Sequence, residues 1–163
     1  MSRSQAADIV VGVDDSSSSR SALVFALREG ARRGSAVEVV TAWSFDDAYD
    51  RFSDRERNEL PRVTAERTQD DAVTAALATV AAPPLLSRAV IEGPAGPVLL
   101  HAAHGADYLV VGSAQKGTVR RAELGSTSRH CVLHASVPVL VVPEGAASRR
   151  RMMPHPADAL TEA

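Results

Sequence analysis

The chain has 163 residues, of which 45% are hydrophobic and 23% charged, and its formal net charge is −2. This length suits a single domain able to bury about 68–70% of the unfolded chain's surface, and the composition excludes disordered and fibrous classes. The net negative charge argues against bulk attraction to nucleic acid or anionic membrane, and the lone cysteine, Cys131, excludes an internal disulfide framework.

Ile9-Val10-Val11-Gly12-Val13 is a β-branched run too short for a helix and reads as a buried parallel strand ending in a turn-forming stretch, Asp14 to Ser19. Leu23, Ala26, Leu27 and Gly30 then recur at helical spacing, with serines before them to cap and Gly34 after them to stop. Val37 to Trp43 is a second strand, so the chain opens with a βαβ unit and a right-handed crossover. Ser44 to Leu60 is polar, charged and without period, which predicts a surface excursion. A helix is expected from Pro61, with Val73, Ala76, Leu77 and Val80 on one stripe, until Pro83-Pro84 ends it. Leu85 to Ile91 is a third strand. After the loop Glu92 to Pro97, a helix is expected to carry Leu99, Ala102, Ala103 and Ala106. Tyr108 to Val111 is a fourth strand, a short helix runs from Ser126 through Ala135, and Val137 to Val142 is a fifth strand.

These elements place one domain at 8–144, behind an arm at 1–7 and ahead of a tail at 145–163 whose Arg149-Arg150-Arg151, Pro154 and Pro156 fit a disordered segment. No apolar run reaches the roughly 18 residues of a membrane span, and MSRSQAAD has no apolar leader stretch, so a cytoplasmic chain is expected. Five strands alternating with four helices predict an α/β fold: an open, mostly parallel sheet with helices on both faces. Ligands of such sheets sit beyond the carboxyl ends of the strands where the strand order reverses, here the loops after the first and fourth strands.

The fourth-strand loop leads from Gly112 through Gly117 to Gly125, where Ser126, Thr127 and Ser128 open a helix. A helix N-terminus rich in hydroxyls suits an anion such as phosphate. It is not the common P-loop, because Lys116 precedes Gly117 instead of following it, and no GxGxxG follows the first strand. Turn geometry and capping alone would also account for Gly112, Gly125 and Ser126. Other constellations lack partners. Asp14-Asp15 has no aspartate at the end of the third strand to make a phosphorelay receiver, and Asp14 also suits a plain turn or cap. His101 with His104, and His130 with His134, have too few companion ligands for a metal site. Cys131 reads as a small buried hydrophobe, and no serine sits in a nucleophile elbow.

IVVGVDDS, VVTAW, Glu92-Gly93 and DYLVVGS…LGSTS…VPVLVV, spanning roughly Asp8 to Val142, resemble the universal stress protein (UspA-like) domain. The resemblance implies a Rossmann-like fold of the adenine nucleotide alpha hydrolase type. It also implies an adenine nucleotide, ATP or a relative such as AMP or cyclic AMP, with Mg²⁺ as an accompanying ion. In the family's G-x2-G-x9-G-[ST] pattern Gly112, Gly125 and Ser126 fall in register, whereas Gln115 occupies the middle glycine's position and Gly117 lies two residues on. By the same resemblance Asp14 holds ribose or adenine, Gly12 and Val13 flank it, and the backbone of Ala42 reads the base edge. Phosphates would rest on the N–H groups of Gly125, Ser126 and Thr127. The implied protein works by occupancy and not turnover, since only Lys116, Arg120 and Arg121 stand near the loop to stabilise a transferring phosphoryl group. A homodimer through the fifth strand is expected, because an apolar edge invites pairing and the family pairs this strand with its copy. The alternative edge cover is the tail from Gly145. The competing reading is a nucleotide-free dimeric scaffold, which Gln115 favours; the downstream protein partner is not identified by the sequence.

Overall fold

A computed structural model describes residues 7–44, 54–113 and 124–146, the side chains of 54–59 excepted. Gly117, Gln115, Lys116, Arg120 and Arg121, and the tail from 147 onward, lie outside the described residues.

β1 (Ile9–Gly12) is buried at every position, as a strand covered on both faces must be. α1 (Ser17–Arg33) starts at the N-cap Ser16, whose side chain accepts from the Ser19 N–H, and stops at Gly34. Gly34 has a φ of +69°, the left-handed conformation that glycine adopts without steric cost, and its N–H bonds to the Gly30 carbonyl. β2 (Val37–Trp43), α2 (Asp54–Leu77), β3 (Leu86–Glu92), α3 (Ala95–Ala102), β4 (Tyr108–Gly112), α4 (Ser126–His134) and β5 (Val139–Val142) follow. The strands form one sheet in the order β3-β2-β1-β4-β5, and every pairing is parallel.

The period-two alternation of the strands divides the core. Ile9, Val11, Val37 and Val39 face α1 and α2, packing on Leu23, Leu27, Val73 and Ala76. Val10, Val40, Leu109 and Val111 face the other way, toward Val98 and Leu99 of α3 and Cys131 of α4. One polar residue enters the first layer. Gln69 of α2, 3% exposed, donates from Nε2 to the Val39 carbonyl at 3.2 Å, the Ala89 carbonyl at 2.9 Å and Thr41 Oγ1 at 3.1 Å, holding α2 across β2 and β3.

Several boundaries differ from the sequence reading. α2 begins at Asp54 instead of Pro61, so the expected excursion is shorter and Pro61 lies inside the helix. A proline costs the ladder one N–H bond and crowds the preceding turn, yet Ala65, Gln69, Ala72, Val73 and Ala76 bury a full stripe beyond it, and that packing carries the helix. α3 stops at Ala102, and Ala103 and Ala106 are buried beyond its end. β3 is displaced by one residue. β5 begins at Val139 because Pro138 has no N–H for a ladder, although its carbonyl accepts from the Leu109 N–H at 2.9 Å.

At the end of β4, a Cβ on Gly112 would stand 2.6 Å from the Ser18 carbonyl carbon, Ser18 Oγ and the Ser19 nitrogen. Most of that obstacle is backbone, so no side-chain rotation relieves it. Gly112→Ala is expected to push α1 off the sheet and to cost about 1–3 kcal/mol in urea unfolding followed by circular dichroism. An unchanged midpoint would show that the two segments separate freely.

Candidate functional site

The strand order turns at β1 and β4, whose chains continue to opposite sides of the sheet, and a cavity of about 340 Å³ opens beyond their carboxyl ends. That volume lies within the range of small-molecule sites. Its apolar side is built from Val40 and Ala42 of β2, Val111 of β4 and Leu99 of α3. Gly12 belongs to this wall by necessity, since a Cβ there would meet Leu99 Cδ1 at 2.7 Å. Leu99 can therefore lie directly over the end of β1.

The polar side has two parts. After β1 the chain makes an Asx turn, in which Ser16 N–H donates to Asp14 Oδ1 at 2.8 Å and Ser16 then caps α1. Asp14 and Asp15 are exposed. Across the cavity lies the first turn of α4, with Gly125 at the N-cap and no side-chain cap hydrogen bond. The first intrahelical bond there runs from Arg129 N–H to the Gly125 carbonyl, so the N–H groups of Ser126, Thr127 and Ser128 have no i−4 acceptor. α4 is tied to the sheet at this point, because Ser128 Oγ donates to the Gly112 carbonyl and Gly125 N–H donates to the Ser113 carbonyl at 3.1 Å. The first turn of α4, with no side-chain cap among the described residues, thus turns its N–H groups and positive dipole end toward an apolar slot.

Of the residues singled out from the sequence, Gly12, Val13, Asp14, Ala42, Gly112, Gly125, Ser126 and Thr127 all line this one cavity. Gly117 lies outside the described residues. The Gly125 N–H, expected to face phosphate, donates to the Ser113 carbonyl, and Ser128 lines the cavity beside Ser126 and Thr127. Asp15, Ser16, Ser18, Ser19 and Ser128, from the two loops the sequence pointed to, also line it, whereas Val40, Ala95, Leu99 and Val111 were missed. The serine run was legible as a turn and cap. Ala95 and Leu99 carried no comparable mark, because they reach the cavity only through the crossing of α3 over the sheet.

Other candidates resolve into packing. Cys131 is buried, and burial pushes its thiol pKa up, away from the reactive thiolate. His130 and His134 stack at 4.4 Å, with His134 Nδ1 2.9 Å from the His130 carbonyl oxygen. His130 also lies over Gly96, where a Cβ would meet its ring at 2.4 Å. Among the described residues no group of three or more His, Cys, Asp or Glu is arranged to hold a metal ion, and no helix is long and apolar enough to cross a membrane.

Comparison with known proteins agrees with this architecture. The profile of the universal stress protein family matches residues 7–143. A universal stress protein of Mycobacterium tuberculosis is 30% identical over 155 residues, an alignment covering 83% of this chain and 48% of that protein. The chain thus spans about half the length of the curated relatives it matches. Among solved structures, UspA from Lactobacillus plantarum superposes with a TM-score of 0.66 at 23% identity, covering 86% of this chain and 99% of its own. A universal stress protein in complex with cAMP superposes with a TM-score of 0.60 at 25% identity, covering 86% of this chain and 99% of its own. With five parallel strands and four helices among its described residues and a profile match running from two residues before β1 to the residue after β5, the chain belongs to the universal stress protein family.

Proposed function

We propose that the cavity between β1 and β4 binds an adenine nucleotide, ATP or a relative such as AMP or cyclic AMP, and that the protein serves stress response or signalling in the cytoplasm through occupancy of that site. The observation that carries this reading is the opposition of an apolar wall to a helix N-terminus without a side-chain cap within one cavity. A base needs the first and a phosphate the second. Gly12, Val13 and Ala42 would flank the base, Asp14 would accept from a ribose hydroxyl, and the N–H groups of Ser126, Thr127 and Ser128 would receive phosphate oxygens. The solved relative that carries cAMP supports the ligand class. The donor set around the cavity is hydroxyls, N–H groups and the two carboxylates of Asp14 and Asp15. Such a set fits an Mg²⁺ carried in on the nucleotide's own phosphates better than a dedicated cation cage.

Ser126→Asp would set a carboxylate where phosphate is received, while an acidic residue in the first turn leaves the helix itself stable. Calorimetry with ATP should show affinity reduced at least about tenfold, since like-charge juxtaposition costs several kcal/mol. Equal affinity for the two proteins would remove the site assignment.

Turnover is a separate matter. Efficient phosphoryl transfer needs a residue that positions the attacking water and cations that stabilise the transferring group, and the hydroxyl and N–H set at α4 supplies neither. Phosphate release from ATP should stay below about 1 s⁻¹, the lower end of ordinary enzyme turnover. A faster rate would make the protein an enzyme.

The second reading, a nucleotide-free dimeric scaffold, draws on β5. Among the described residues this strand pairs with β4 alone and Leu140 on it is exposed, and an apolar edge strand of this kind invites pairing with a copy of itself. Both readings include a homodimer through this strand. Light scattering at tens of micromolar on the full chain and on a chain ending at Glu144 should give dimers in both. Monomers in both would overturn the pairing, and a dimer formed only after truncation would show that the tail covers the edge.

A further inference from the structure

Ser19 occupies the third position of α1, where a side chain serving the helix alone would reach back to the N–H of the capping residue. It reaches further. Its Oγ accepts from the Asp14 N–H at 3.2 Å, and its single proton is shared between the Asp14 carbonyl oxygen at 2.9 Å and the Ser16 carbonyl oxygen at 3.0 Å. One hydroxyl thus meets the peptide groups on both sides of the Asp14 Cα. The Ser16 N–H then holds Oδ1 of the same residue at 2.8 Å, which sets the side-chain torsion. Ser19 is itself clamped, because its N–H donates to Ser16 Oγ at 3.2 Å and it is only 4% exposed, with Gly112 pressed against its backbone.

The consequence concerns Asp14, which is exposed and lines the cavity while its main chain is held from behind. A carboxylate with one oxygen engaged in the turn retains lone pairs for a ligand, and its value as an acceptor depends on arriving already oriented. We propose that Ser19 is a positioning residue for ligand recognition, holding the Asp14 carboxylate so that it accepts from the ribose 2′-hydroxyl and thereby distinguishes ribonucleotides from deoxyribonucleotides. This inference rests on the adenine-nucleotide reading above. Ser19 lines the cavity, but it is only 4% exposed and its hydroxyl is engaged by the Asp14 and Ser16 peptide groups. It acts through Asp14, and its loss frees an acceptor that must otherwise be ordered at the moment of binding.

The ratio of two affinities tests this, because a loss of folded protein lowers both affinities alike and leaves their ratio unchanged. Calorimetry on the full chain would use AMP and 2′-deoxy-AMP against wild type, Ser19→Ala and Ser19→Cys, the last a near-isostere with a weak hydrogen-bonding group. Wild type should prefer AMP by about tenfold, the effect of one hydrogen bond to a charged acceptor. In Ser19→Ala, AMP should weaken by about that factor while 2′-deoxy-AMP changes less than about twofold, bringing the ratio close to one. Ser19→Cys should move the ratio the same way, and it decides the matter if the alanine variant does not fold. A preserved ratio in a folded variant overturns the positioning role while leaving nucleotide binding intact. Equal binding of the two nucleotides by wild type overturns recognition of the 2′-hydroxyl. Failure of wild type to bind AMP at all overturns the nucleotide reading itself.

Discussion

The architecture turns on the contact between the end of β4 and the first turn of α1. Gly112 approaches Ser18 and Ser19 so closely that no side chain fits between them. Its carbonyl accepts from Ser128 Oγ of α4, and the next residue, Ser113, receives the Gly125 N–H and donates its own N–H to the Val142 carbonyl at 3.0 Å. Two helices and two strands therefore meet within a few residues. Close approach of the α1 terminus to β4 brings the β1 turn within reach of the α4 terminus, and the distance between these two polar groups sets the size of ligand that can span them.

Around that seam the sheet behaves as a covered parallel sheet should. Aliphatic side chains, most of the strand ones β-branched, fill both layers, and Leu99 is laid over the end of β1, admitted by the missing side chain of Gly12. The apolar slot is a by-product of reversing the strand order: helices leave β1 and β4 on opposite faces, and among the described residues no helix or strand covers the cleft between them. Gln69 shows the complementary case. A long polar side chain is tolerated in the layer under α2 because its amide finds two carbonyls and a hydroxyl.

The two helix N-termini at the cavity are not equivalent, and the difference gives the site its direction. α1 is capped by a side chain, Ser16 Oγ taking the Ser19 N–H, and its turn presents the carboxylate of Asp14. α4 begins at a glycine and has no side-chain cap among the described residues. One end of the cavity thus carries an acceptor and the other a set of donors under a positive dipole. A ligand with hydroxyls at one end and negative charge at the other is matched to that polarity.

Much of this was legible before any coordinates. The apolar run Ile9 to Val13, the spacing of Leu23, Ala26 and Leu27, and the alternation of strands with helices specify the fold class, because parallel strands buried on both faces have few other ways to satisfy their backbones. The same order of elements points to the loops after the first and fourth strands, and every described residue named from them lines the cavity. Sequence alone stopped short where tertiary packing overrides local preference. Pro61 marks a helix start by local rules, yet α2 runs through it because the buried stripe beyond stabilises the helix more than one lost hydrogen bond weakens it. Leu99, Ala95 and Val40 enter the site through the crossing of elements distant in sequence, which no local pattern records. Whether the Gly125 N–H is free or spent, and whether Ser19 caps a helix or holds Asp14, depends on which acceptor lies within about 3 Å, a matter that only the folded chain decides.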